Sequence, residues 1–160
     1  MSSVEGRVAP NRLKALKGLR TNAFAAVVML LLEFGLGVGA NLYVALPAAD
    51  RGKALLAAFG TAATDGPVIL SAHAVLGTIL LITGVSAVVR AALIRQASLF
   101  LITGVSLLGI VVAWLSGARF VGTMTNSASL AMAIAGGVSI LCYALVLFLV
   151  PGPPLAQGTS

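Results

Sequence analysis

Glu33 and His73 are the two ionisable side chains that lie deep inside apolar stretches of this chain. The chain has 160 residues, 59% hydrophobic and only 9% charged. A carboxylate or imidazole embedded in such surroundings is costly to hold, and by default it marks a functional position. Glu33 stands about eleven residues into the first apolar stretch, roughly 16 Å along a helix, close to the middle of a bilayer. His73 enters its stretch from the other side and lies roughly 9 Å down it, so the two differ in depth by only about 5 Å. That is within reach of a side-chain pair or a water bridge. Glu33, Gly37 and Asn41 follow four-residue spacing and share one helix face, and Gly37 leaves space beside His73 if the two helices are neighbours. Two chemistries fit. In one, Glu33 binds or relays a proton or cation, His73 titrates, and Asn41 lines the outer mouth. In the other, a neutral Glu33 bonds His73 or a backbone carbonyl and holds two helices together.

Other chemistry finds no foothold. No catalytic triad, phosphate loop or paired carboxylates can be assembled, which speaks against an enzyme. One histidine and one distant cysteine make no zinc site. A bis-histidine haem needs two axial ligands, and Met29 falls on the far side of the midplane from His73. A haem could therefore only be shared between subunits or ligated unusually, and no cofactor is expected. Cys142 sits inside the last apolar stretch, reads as a small buried hydrophobe, and has no partner for an intramolecular disulfide. The net charge of +6 comes without the aromatic-basic module of a nucleic-acid binder, so no nucleic-acid partner is expected.

The elements that must position Glu33 and His73 follow from hydropathy. Four apolar runs, Ala23–Leu46, Val68–Val89, Ser98–Trp114 and Ala128–Val150, each approach the roughly 17–25 residues that cross a bilayer. Backbone groups in lipid must be satisfied within the segment, so four runs mean four helices, with spans near 22–47, 67–91, 96–117 and 127–150. The first run is too long for a signal-peptide core and carries Glu33 in its middle. The expected fold is an all-α membrane protein, four transmembrane helices in an up-down-up-down bundle bound in the lipid bilayer. Arg7, Arg12, Lys14, Lys17, Arg20, Arg90 and Arg95 lie on one side, and Arg51, Lys53 and Arg119 on the other. The positive-inside bias then places the N- and C-termini in the cytoplasm. Residues 1–21 form a basic segment whose Leu13, Leu16 and Leu19 suit a short interfacial helix or else a solvated tail. In the first outer connection, Asp50 could cap a short helix through DRGKALLAAF whose Leu55, Leu56 and Phe59 would rest on the membrane surface, with 60–66 as a turn and Pro67 opening the second span. The loop 117–127 joins the last two spans, and the Pro-Gly-rich residues 151–160 read as a disordered tail.

The hexapeptide LITGVS occurs at Leu81–Ser86 and again at Leu101–Ser106. The midpoint falls in the tight connection between the second and third spans, so antiparallel helices would hold both copies at equal depth. Thr83 and Gly84 would then face Thr103 and Gly104, small residues that permit close approach and hydroxyls that can bond across it. Gly35 and Gly39 in the first span, and Ala133 and Gly137 in the fourth, extend this expectation of tight helix packing.

The segments LLEFGLGVGANLYVALP and AHAVLGTILL resemble a pattern in small bacterial four-helix integral membrane proteins, over about the first half of the chain. The resemblance implies that fold and a bacterial inner (cytoplasmic) membrane location, and carries no activity with it. Two functional readings compete: a structural or accessory subunit of a larger membrane complex, and a small oligomeric proton or cation channel or transporter working through Glu33 and His73. The sparse internal polar groups favour the first slightly.

Overall fold

The computed structural model describes residues 5–43, 52–123, 125–150 and 152, with side chains from Asn11 onward. The Asp50 cap and nearly all of the 151–160 tail lie outside the described residues. Five helices follow one another: α1 (Glu5–Tyr43), α2 (Leu55–Thr64), α3 (Val68–Ile94), α4 (Ala97–Thr123) and α5 (Asn126–Leu149), with no strand among the described residues. Four of them, α1, α3, α4 and α5, are long and apolar enough to cross a membrane. They form a four-membered ring in which α1 packs on α3 and α5, and α4 packs on the same two, giving the up-down-up-down bundle. The short α2 lies across α3 and α4. The outward surface is apolar, with Leu31, Val85, Leu108 and Phe148 all exposed. Such a surface suits lipid and would not suit water.

The basic N-terminal segment is continuous with the first span. Leu19 is fully buried and Ala15 nearly so, in one cluster with Ala91, Ile94, Tyr143 and Val150, while Leu13 is exposed. The helix keeps its direction because its leucine face docks on protein. Arg20 reinforces this, donating through its guanidinium to the carbonyls of Leu147 and Val150 at the end of α5. Those are among the last carbonyls of a helix, which have no partner within it and favour a cation. Gly18 lies flat against the Arg90 guanidinium, where a β-carbon would collide.

Two stretches expected to turn are helical. Gly60 falls inside α2, and the turn is confined to Asp65 and Gly66. The third span runs on through 118–123. Its extension places Val121 in a small buried cluster with Ala58, Ala62 and Leu70, and Gly122 accepts a bond from the Gly52 amide at 3.1 Å. Tertiary burial outweighs the poor helix propensity of the glycines there. The α3–α4 connection is tight, with Arg95 in the left-handed region at φ 59° and its amide bonded to the Ala92 carbonyl.

The two LITGVS copies do not bond one another. Thr83 and Ser86 donate to Ile79 and Ile82 one turn back on α3, and Thr103 to Leu99 on α4. Gly84 does sit against α4, where a β-carbon would meet Leu107 at 3.0 Å, but Gly104 faces open space. The second copy turns its serine to α5 instead. Ser106 donates to the Ser139 carbonyl at 3.4 Å, and Ser139 donates to the Ser106 carbonyl at 3.1 Å. Gly109 permits this approach, since any β-carbon there would overlap the Ser139 hydroxyl. Sequence identity carried no information about which face each copy presents. A hydroxyl on a helix can satisfy itself on its own preceding turn.

Candidate functional site

α1 and α3 run antiparallel, and the packing of each creates a slot in the other. On α1, Glu33 and Gly37 are one turn apart; on α3, His73 and Gly77 are one turn apart. A β-carbon on Gly37 would lie 3.2 Å from Cε1 of His73, and one on Gly77 would lie 2.9 Å from Oε1 of Glu33. Each titratable side chain therefore rests on the other helix's glycine. Further along, Gly39 meets the Ile69 side chain in the same manner. The geometry brings Nδ1 of His73 to 3.2 Å from Oε1 of Glu33, with both side chains 16% exposed. This is a close approach without hydrogen-bond alignment, and Glu33 Oε2 and His73 Nδ1 are both buried without a bonded partner.

The pair lines a cavity of about 160 Å³ within the half of the bundle that carries α2. Glu33, Gly37 and Asn41 all contribute from α1, and His73 and Gly77 from α3. The remaining walls are largely apolar, from Leu70, Leu80, Ile110, Ala113 and Met132 among others. Trp114 supplies the one indole, its Nε1 buried and unpartnered, and its ring lies 4.6 Å from that of Phe59 at a tilt of 45°. A β-carbon on Gly77 would touch the Trp114 ring at 3.7 Å as well as the Glu33 carboxylate, so indole and carboxylate flank one point. No lysine or arginine lines the cavity, and Glu33 and His73 are its only titratable groups among the described residues.

The cavity has an open side. Phe34, Val38 and Ala133 line it and yet remain exposed. No residue of α1 beyond Leu30 joins the buried core, while α5 meets α1 through Tyr143, Val146 and Val150 at the opposite end of the bundle. The ring is thus closed between the first half of α1 and the end of α5, and parted between α1 and α5 where α2 lies. That opening lies on the apolar outer surface of the bundle.

The remaining small residues divide by environment. Gly84 and Thr103 are buried, whereas Gly35, Gly104 and Gly137 have nothing within contact of an added β-carbon, and Ala133 is exposed. Sequence reasoning passed over Gly77 and Trp114, and expected Phe59 on the membrane surface, whereas it packs against Trp114 in the cavity wall. Gly77 was within reach, since it stands four residues after His73 as Gly37 stands four after Glu33. Trp114 gave no such signal: it closes the apolar run Ser98–Trp114, the interfacial place where tryptophan is usual, and only the extension of α4 to Thr123 puts it inside a span. Among the described residues no group of three or more His, Cys, Asp or Glu side chains could hold a metal ion. Comparison of the chain with protein-family models, with curated proteins and with solved structures finds no match.

Proposed function

We propose that this chain is a small transport protein of the bacterial inner membrane, both termini cytoplasmic, whose Glu33–His73 pair binds and passes a proton. The observation that carries the reading is the pair itself: a carboxylate and an imidazole 3.2 Å apart, at the wall of an apolar cavity inside a bundle that spans the bilayer. Only Oε1 of Glu33 approaches His73; Oε2 has no hydrogen-bond partner among the described residues, which leaves the carboxylate with capacity for a proton or ligand beyond the pair. Asn41 at the exposed margin of the cavity adds a polar step toward the outer surface. The excess of basic residues in the first half of α1 and around the α3–α4 turn supports the orientation.

The test is proton flux through the purified chain in liposomes under an imposed pH gradient, with Glu33→Gln and His73→Ala alongside. Flux that disappears in Glu33→Gln while the variant keeps its helical content and monodispersity is the expected result. Equal flux in wild type and Glu33→Gln, or none above empty liposomes in either, would sink the proton reading.

A separate observation favours a second reading, that of a structural or accessory subunit of a membrane complex. Gly35, Gly104 and Gly137 expose flat helix surface with nothing against it, the kind of face on which another helix, from a second copy or a different chain, packs closely. Under that reading mild detergent extraction yields a stoichiometric assembly that Gly137→Leu disperses. A monomer in every mild detergent would count against it.

A further inference from the structure

We propose that the cavity is an exchange site, holding either one proton on the Glu33–His73 pair or one small lipophilic monocation, an aryl- or alkylammonium, against the Glu33 carboxylate. The inference rests on the reading of the pair as a proton site and adds the class of ligand that competes for it.

Shape is the first argument. A volume of about 160 Å³ with apolar walls is large enough for an aromatic ring; an engineered cavity of about 150 Å³ in another protein stays dry and takes up benzene. The parting between α1 and α5, marked by exposed Phe34, Val38 and Ala133, opens toward lipid and admits a molecule already dissolved in the bilayer.

Charge is the second. Among the described residues Glu33 is the single acid in the lining, and no lysine or arginine accompanies it. An anionic ligand would meet a carboxylate with no counter-charge. A cation would meet the Glu33 carboxylate, whose side chain lines the cavity and is partly exposed. The edge of the Trp114 indole lies beside the same Gly77 that Glu33 rests on, so an aromatic side chain lines the cavity next to the charge.

The third argument is neutrality. With no added proton, Glu33 as carboxylate and His73 as neutral imidazole leave the cavity with one negative charge, which is costly at this depth in a membrane. One proton cancels it, whether it resides on the carboxyl or on the imidazole. One monovalent cation cancels it equally well. Proton and cation together would leave a net positive charge, so binding the cation releases the proton to water. Charge is conserved in the exchange and no other reactant is needed.

Trp114 is the only tryptophan in the chain and reports on the cavity directly. The experiment titrates the full chain in lipid nanodiscs with benzyltrimethylammonium, following Trp114 fluorescence and, in weak buffer, proton release. Neopentylbenzene, its uncharged carbon isostere, and phenylacetate, an anion, serve as comparisons. The expected result is saturable binding of the cation with about one proton released for each cation bound, and no response to phenylacetate. Glu33→Gln should weaken the cation at least about tenfold and leave neopentylbenzene unchanged. Gly136→Leu, whose β-carbon enters open space at the cavity wall, should weaken both probes. It also keeps the test decisive if Glu33→Gln does not fold. Neopentylbenzene binding as tightly as the cation, cation binding without proton release, or no saturable binding would each overturn the proposal. Glu33-dependent proton flux in a protein that ignores the cation would overturn the exchange site alone and leave the proton reading standing. Cation exchange in a protein with no flux would do the reverse.

Discussion

Glu33 rests on Gly77. A β-carbon at that position would come within 2.9 Å of Glu33 Oε1, so the carboxylate is where it is because α3 has no side chain there. His73 rests in the same way on Gly37, one turn further along α1. The close approach of the two titratable groups is therefore a product of two glycines as much as of the acid and the base.

Gly77→Val tests this dependence. A branched side chain must displace both the carboxylate and the edge of Trp114, and overpacking of this kind typically costs about 1–3 kcal/mol. Gly77→Ala should be milder, since the atom it meets is the end of a flexible side chain. Gly37→Ala meets the His73 ring at 3.2 Å, a gap that a shift of a few tenths of an ångström relieves. Thermal unfolding in detergent should rank wild type above both alanine variants and these above Gly77→Val. Gly77→Val as stable as wild type would mean that Glu33 does not occupy the slot.

The α4–α5 contact makes a different prediction. Ser106 and Ser139 exchange hydroxyl-to-carbonyl bonds, and both are fully buried. The single Ser139 hydroxyl proton is shared between the Ser106 carbonyl and the Ala135 carbonyl of its own helix, so the interhelical bond is a weak one. Interhelical bonds in membranes average about 0.6 kcal/mol, and Ser139→Ala should cost about that much. Gly109→Leu should cost far more, because its side chain has nowhere to go but into α5. A chemical-denaturation series that found Ser139→Ala the worse of the two would show that hydrogen bonding, not close approach, holds this seam.

What could be read before any coordinates depended on whether the signal was one of depth or one of direction. The spans were legible because hydropathy reports depth, and so was the meeting of Glu33 with His73, since rise per residue fixed both at nearly the same level. The LITGVS repeat was misread for the complementary reason. Its position gave equal depth for the two copies, but no pattern said that Ser106 points to α5 while Ser86 turns back on its own helix. Trp114 was missed, and Phe59 was set on the membrane surface, because the two come together only through α2 folding across α3 and α4, a contact with no local periodicity. The helical continuation through 118–123 was hidden by two glycines whose propensity is overruled by the α2 cluster.

Arg20 ties the two ends of the ring. Its guanidinium bonds the carbonyls of Leu147 and Val150, closing the first half of α1 on the end of α5. Arg20→Ala leaves those carbonyls without this donor and should lower stability by about 1–2 kcal/mol, in the range of bonds to charged groups. Arg20→Lys retains the charge but not the planar fork, and should recover only part of the loss. Hydrogen exchange of the last turn of α5 would show the effect locally. Unchanged protection there in Arg20→Ala would argue that the contact adds nothing.

The paired glycine slots make one prediction that neither residue alone would suggest. Because Glu33 sits over Gly77 and His73 over Gly37 in equivalent positions, the pair has an approximate twofold relation across the α1–α3 contact. Exchanging the two side chains should then be tolerated. Glu33→His puts two imidazoles side by side, and His73→Glu puts two carboxylates there; each single change loses the acid–base complement and should destabilise the bundle. The double variant Glu33→His/His73→Glu restores the complement in reversed order over the same two slots. In a double-mutant cycle on thermal stability, the coupling should be favourable and on the order of 1 kcal/mol. A double variant no more stable than the sum of its parts would show that the slots are not equivalent and that the carboxylate has to stand on α1.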